Sequence, residues 1–203
     1  MLDEPFHLSY PYVFKHNDEY YMIPETYRLN SIRLYKAIDF PAKWSYVKTL
    51  LSGKYFRDSS IFTKDGKWWM FTTPTKDNDI LLLYYSDDLL DTWTEHPKNP
   101  IIHGDRNSAR SGGRVLYYDG RIIRYAQDCD PSYGNQVRAF EIDTLTPTEY
   151  KEHEIEVVVK ASGSGWNADG MHHIDPHYDG DGKWSICVDG HTLQKRLVFG
   201  WYR

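Results

Sequence analysis

The sequence predicts an all-β fold, a β-propeller of four-stranded antiparallel blades, and three observations carry that prediction. Aromatic residues make up 16% of the 203 residues, with 17 Tyr and 7 Trp, and such side chains favour pleated, half-buried strands. No stretch sustains a 3.6-residue apolar period between capping signals, so helices lose. An internal repeat completes the case. The segments VFKHNDEYYMI (13–23), IFTKDGKWWMF (61–71), VLYYDGRIIRY (115–125) and, more loosely, HYDGDGKWSICV (177–188) share one pattern. Two apolar or aromatic runs flank an Asn-Asp or Asp-Gly pair, which is the strongest short-range hairpin signal.

After three of these hairpins comes a second matched segment: IRLYKAIDFPAKWSYV (32–47), LLYYSDDLLDTWTEH (82–96) and VRAFEIDTLTPTEYKEH (137–153). Each reads as a third strand, a turn and a fourth strand, with Trp44 and Trp93 in register. Turn residues Asn17, Asp65, Asp119 and Asp181 recur about 50 to 60 residues apart, a blade-sized interval. The chain thus reads as a single domain, 1–203, with about four blades over 9–53, 58–104, 110–160 and 172–203. The last is incomplete, because HTLQKRLVFGWYR holds only about one further strand. An open edge invites pairing. Residues 1–8 are expected to supply a closing strand, the alternative being closure by a second copy in a homo-oligomer.

Composition excludes several classes of function. A formal net charge of -5 and the absence of any Lys/Arg-rich run argue against nucleic acid as a partner. The opening MLDEPFHLSYPYVF has neither a basic n-region nor an apolar core, and no apolar run approaches about 18 residues. The expectation is therefore no membrane insertion and a cytoplasmic location by default. Two cysteines, Cys129 and Cys187, are too few for a disulfide framework and read as buried thiols.

In a blade the first strand begins on the face where the second ends. Counting back from the hairpin turns puts Tyr10, Asp58, Gly112 and Asp175 at first-strand entries. Glu25, Thr73, Gln127 and Asp189 fall at second-strand exits. Five carboxylates, Glu25, Asp58, Asp128, Asp175 and Asp189, are then expected at one mouth, with Arg110, Arg114, His172 and His173 as donors. Paired carboxylates across a pocket suit glycoside hydrolysis. The competing reading is that such aspartates only cap turns.

The segment HHIDPHYDGDGKW (172–184) raises the question of a metal. Neighbouring strand residues point to opposite faces, so His173, Asp175 and His177 share a side that His172 does not. A transition-metal site is not expected, and no cofactor is required. A calcium ion or a water held on the axis by one histidine fits better. The glycine-rich GSGWNADG (163–170) joins strands rather than opening a helix, so it reads as a rim loop and not a phosphate cradle.

The motifs HLSYPYVF, YYMIPET, DSSIF, GGRVLYYDGRIIRYAQDC, YGNQV, LTPTEY and HHIDPH together resemble one family over about residues 7–191. It is the propeller domain on the N-terminal side of plant glucosamine inositolphosphorylceramide transferases, which also occurs in bacterial proteins. That domain is similar to the five-bladed propellers of arabinanase- and xylosidase-like glycoside hydrolases of the family 43 type. The resemblance implies a funnel on the axis that takes glycans, with an Asp base, a second Asp that tunes pKa values and a Glu acid. By position Glu25 takes the part of the acid and either Asp58 or Asp175 that of the base, while Tyr10, Arg110, Arg114, Gln127, Asp128, His172, His173 and Asp189 are expected to contact substrate. One departure stands out: those hydrolases carry the base on an earlier blade, and here the chain opens one blade later. The resemblance does not carry over transferase activity, which resides in a separate domain. The expectation is a glycosidase acting through paired carboxylates, and the rival is a glycan-binding module that assists a glycosyltransferase.

Overall fold

The computed structural model describes residues 2–194. Four antiparallel sheets follow one another in chain order. The first contains β1 (Ser9–His16), β2 (Glu19–Glu25), β3 (Ser31–Asp39) and β4 (Lys43–Ser52). The second contains β5 (Arg57–Lys64), β6 (Lys67–Thr73) and β7 (Ile80–Ser86), with β8 (Thr94–Glu95) and β9 (Ile102–His103) sharing the outer edge of β7. In the third, β10 (Arg110–Ser111) and β11 (Leu116–Tyr118) share one edge of β12 (Arg121–Asp128), followed by β13 (Gln136–Leu145) and β14 (Tyr150–Lys160). The fourth is a hairpin of β15 (Gly170–Gly180) and β16 (Lys183–His191).

The repeat signal marks the hairpin turns themselves. Asn17 and Asp18 have φ of 49° and 61°, and the Asp-Gly pairs at 65–66, 119–120 and 181–182 are likewise left-handed at both residues. Two central residues with positive φ make the turn whose twist matches that of the strands it joins.

Packing between consecutive sheets arranges them as propeller blades. In β6, Trp68 and Met70 join a core shared with Ile23, Ile32 and Leu34 of the first sheet. The alternate residues Trp69 and Phe71 join a core shared with Val115, Ile122 and Ile142 of the third. Because both faces of this blade are covered, KWWMFTT reads as a continuous apolar run rather than an alternating one. A smaller core of Tyr125, Val137, Ala139 and Ile174 joins the third sheet to the fourth.

The four sheets converge on Gly113. Its carbonyl accepts from the Tyr10 hydroxyl of the first sheet at 3.1 Å and from Ser60 Oγ of the second at 2.9 Å. The Ile174 amide of the fourth donates to the neighbouring Gly112 carbonyl at 2.8 Å. A Cβ on Gly113 would sit 1.8 Å from the Ile174 carbonyl oxygen, so only glycine permits this approach.

Two expectations differ from what the described residues show, and a third falls outside them. Among the described residues, 2–8 form no strand with β15 or β16. They run along the first, where Tyr35 donates to Glu4 at 3.0 Å and Arg33 lies over the Phe6 ring at 5.3 Å. Pro5 lacks a ladder donor, and Leu2 and Leu8 find apolar cover beside Met22, Pro24 and Trp44. The strand expected in HTLQKRLVFGWYR lies outside the described residues from 195 onward. Of the two cysteines only Cys129 is buried; Cys187 is exposed, on a face of β16 that no further strand layer covers among the described residues.

Candidate functional site

A cavity of about 450 Å³ opens at the mouth where the first strands begin. Its walls are set by backbone irregularity as much as by side chains. Tyr10 and Asp58 occupy equivalent positions in β1 and β5, with φ of 45° and 39°, each inside a register shift against the second strand. Left-handed backbone at a non-glycine residue costs about 1–3 kcal/mol and needs surrounding support. The Tyr10 hydroxyl provides some of that support through Ser60 and Gly113.

Arg110 is the hub of the floor. Its Nε donates to Asp58 Oδ2 at 2.5 Å and its Nη1 to Asn78 Oδ1 at 3.1 Å, while Nη2 lies 4.0 Å from Glu25 Oε2. The guanidinium sits 4.9 Å from the Tyr133 ring centroid. Gln127 Nε2 also donates to Asp58 Oδ2, at 2.9 Å, and to the Ser111 carbonyl at 2.8 Å. The Asp58 side chain is 4% exposed, so its charge is carried by these donors rather than by water.

Glu25 sits behind this floor with its side chain 5% exposed. Ser9 Oγ donates to Oε1 at 2.9 Å, while Oε2 is buried without a partner. Burial, reinforced by the nearby Asp58 charge, pushes the Glu25 carboxyl up to about 7.

The opposite wall comes from the fourth sheet. Arg114 Nε donates to Asp175 Oδ1 at 2.7 Å, and His177 Nε2 lies 3.1 Å from Asp175 Oδ2. Burial alone would raise Asp175; the Arg114 hydrogen bond and charge outweigh it and hold the carboxyl below its usual range. His172 Nε2 faces Asp189 Oδ2 at 3.1 Å, and His173 meets the Tyr10 ring edge-on at 5.3 Å. Burial depresses both imidazoles, which are neutral at pH 7.

Tyr10, Asp58, Arg110, Arg114, Gln127, His172, His173, Asp175 and Asp189 are therefore gathered around one cavity. Asp128 is not. It is buried on the other side of β12, accepting from Gln136 at 2.8 Å, Arg138 at 2.9 Å and Asn107 at 3.1 Å. Successive strand residues alternate faces, and Gln127 takes the inward one.

Two positions in the fourth sheet also differ from the sequence map. Asp175 and Asp189 are not an entry and an exit: Gly170 pairs with His191 there, while Asp175 pairs with Cys187 and His173 with Asp189. Register shifts at Met171/His173 and Tyr178/Gly180 defeat counting back from the turn. The first of these also turns His172 to the same cavity as His173, which strict alternation forbids. Sequence reasoning missed Tyr133, Ser9 and Asn78. Tyr133 lies in the loop CDPSYGNQ between two strands, where an aromatic residue among turn formers was the available signal. Among the described residues no three His, Cys, Asp or Glu side chains converge as metal ligands. No helix among them is long and apolar enough to cross a membrane.

Residues 1–191 match the family model for glucosamine inositolphosphorylceramide transferase 1, N-terminal. The chain belongs to this family. It is 37% identical over 214 residues to glucosamine inositolphosphorylceramide transferase 1 of Oryza sativa subsp. japonica, covering 98% of this chain and 29% of that protein. The Arabidopsis thaliana protein of the same name is 39% identical over 207 residues, covering 98% and 27%. The chain thus spans less than a third of these relatives. Among solved structures, the catalytic domain of a Coprinopsis cinerea GH62 α-L-arabinofuranosidase superposes with a TM-score of 0.70 at 13% identity, covering 96% of this chain and 70% of that one. The Bacteroides ovatus xyloglucan-locus protein GH43B gives 0.63 at 16% identity, covering 89% and 35%. At such identities the likeness establishes the β-propeller fold alone.

Chemically, the cavity offers fixed donors from Arg110 and Arg114, neutral imidazoles and aromatic faces. It falls within the size range of small-ligand pockets.

Proposed function

We propose that the central pocket recognises a glycan without cleaving it, and that in longer relatives such a domain serves a transferase activity located elsewhere in the chain. One observation carries the reading: the two carboxylates set into the cavity's floor and wall, Asp58 and Asp175, are already engaged by guanidiniums. Asp58 is held by Arg110 and Gln127 and Asp175 by Arg114 and His177, while Asp189 lies at the exposed rim facing the neutral His172. A general base must be able to reach and take a proton, and carboxylates locked to guanidiniums are poor bases. They are well placed as acceptors for sugar hydroxyls, and the Tyr133 and Tyr10 rings offer faces or edges to the sugar's C–H groups. The names of the relatives and of the structural neighbours, all of which concern sugars, support the class of ligand. The reading needs no cofactor.

A hydrolytic reading draws on one specific feature, the raised Glu25 carboxyl with its partnerless Oε2. Such a group has the pKa of a general acid. Its position behind Ser9 and Arg110 weighs against contact with a scissile oxygen.

Calorimetric titration with a panel of plant and bacterial oligosaccharides tests the proposal. At least one should bind wild type, and Tyr133→Ala should weaken it by about tenfold, equivalent to ~1.4 kcal/mol. Absence of binding across the panel, with the protein folded, would contradict it.

A further inference from the structure

The mouth carries a second feature where the first and second sheets meet. Tyr27, in the turn after β2, and Tyr55, just before β5, bring their rings to 4.7 Å. The Arg57 guanidinium lies over both, 5.7 and 5.1 Å from the centroids. Lys76 lies over Tyr55 at 5.4 Å and Arg28 over Tyr27 at 6.0 Å. None of these three cations forms an ion pair among the described residues, whereas Arg110, Arg114, Arg121, Arg124 and Arg138 all do.

Asn78 joins the cluster to the floor of the cavity. Its Oδ1 accepts from Arg57 Nη1 at 3.0 Å and from Arg110 Nη1 at 3.1 Å. One neutral carboxamide oxygen therefore holds two guanidiniums side by side; among the described residues Asp58 is the one carboxylate hydrogen-bonded to either, with Glu25 4.0 Å from Arg110. Asp77, next to Lys76 in the chain, is exposed and pairs with neither cation. On a chain of net charge -5, this corner of the mouth gathers three cations that have no ion-pair partner among the described residues. Like charges held together repel unless an anion joins them, and a guanidinium fork with stacked aromatic support is matched to carboxylate, sulfate and phosphate.

We propose that Arg57, Lys76 and Arg28 form an anion subsite of the central pocket, selecting acidic glycans whose carboxylate, sulfate or phosphate group they hold. This rests on the reading of the pocket as a glycan site. The sugar ring lies in the cavity beside Tyr133, and its charged substituent reaches across Asn78 to the Tyr27–Tyr55 rings. Without a ligand, the rings and the Asn78 amide keep the three cations in place.

Calorimetry with matched pairs separates the two claims. The pairs are glucoside and glucuronide, galactoside and galacturonide, and glucose and glucose 1-phosphate, with inorganic phosphate alone as a fourth arm. The acidic member should bind at least tenfold more tightly in low salt, with the advantage shrinking as NaCl rises. The double variant Arg57→Gln/Lys76→Gln, checked for an unchanged melting temperature, should abolish the difference within each pair. Equal binding within every pair, unaffected by the double variant, would overturn the anion subsite and leave the glycan site standing. Phosphate binding lost in the double variant, with no binding of any sugar, would keep the anion site and overturn the glycan reading. No binding in any arm would overturn both.

Discussion

Glu25 is buried beside Asp58, and its folded pKa of about 7 lies above the usual 4.5. The folded protein therefore binds a proton that the unfolded chain releases between those values. That proton stabilises the fold fully below about 4.5, and the contribution is lost as pH rises to about 7, a change of roughly 2–3 kcal/mol. Glu25→Gln removes the dependence, so its melting temperature should gain on wild type between pH 5 and pH 8. Parallel curves would contradict the assignment. Arg110 predicts the opposite kind of loss. Arg110→Met strands the Asp58 carboxylate in a buried site and should cost about 3–5 kcal/mol. Adding Asp58→Asn should restore part of it, because the stranded charge is then gone. If the double variant melts below the single one, the pair is not coupled as described. These buried partners were the least legible features of the sequence. Asp58 and Arg110 are far apart in the chain, and a positive φ at Tyr10 or Asp58 leaves no mark in composition.

At the scale of elements, the hairpins and the entries of the first two sheets were legible and the entry and exit of the fourth sheet were not. Asp-Gly and Asn-Asp pairs mark the turns because few other residues accept two successive positive φ angles. The register of β15 escaped, since its bulges depend on contacts with Gly112 and Gly113 from the preceding sheet. Two glycine substitutions separate local from long-range constraint. Gly120 has φ of 74° with open space around it, so Gly120→Ala should cost only about 1–2 kcal/mol. Gly113→Ala places a methyl in the Ile174 carbonyl, and the sheets can only separate to make room. Its melting temperature should fall far more than that of Gly120→Ala. Comparable losses would show that the junction at Gly113 does not hold the fourth sheet.

Across the whole molecule, stability is graded by the shared cores. The first three sheets are joined through two large clusters and the fourth through a small one. Amides of β15 and β16 should therefore exchange with solvent sooner than those of β6 and β7, which are buried on both faces. Uniform protection would contradict that order. The same asymmetry bears on function, because β15 and β16 supply His172, His173, Asp175 and Asp189 to the pocket, and a ligand bridging to Arg110 should slow their exchange. The repeat and the aromatic content made the propeller readable from sequence. Recognition and catalysis share residue types, and only the pairing of each carboxylate separates them. The most direct test of a recognition pocket is product release from those oligosaccharides that bind, over prolonged incubation, with wild type beside Glu25→Gln and Asp175→Asn. Binding by wild type with no turnover is the predicted result; turnover by wild type that disappears in both variants would contradict the account and make the pocket a glycosidase centre.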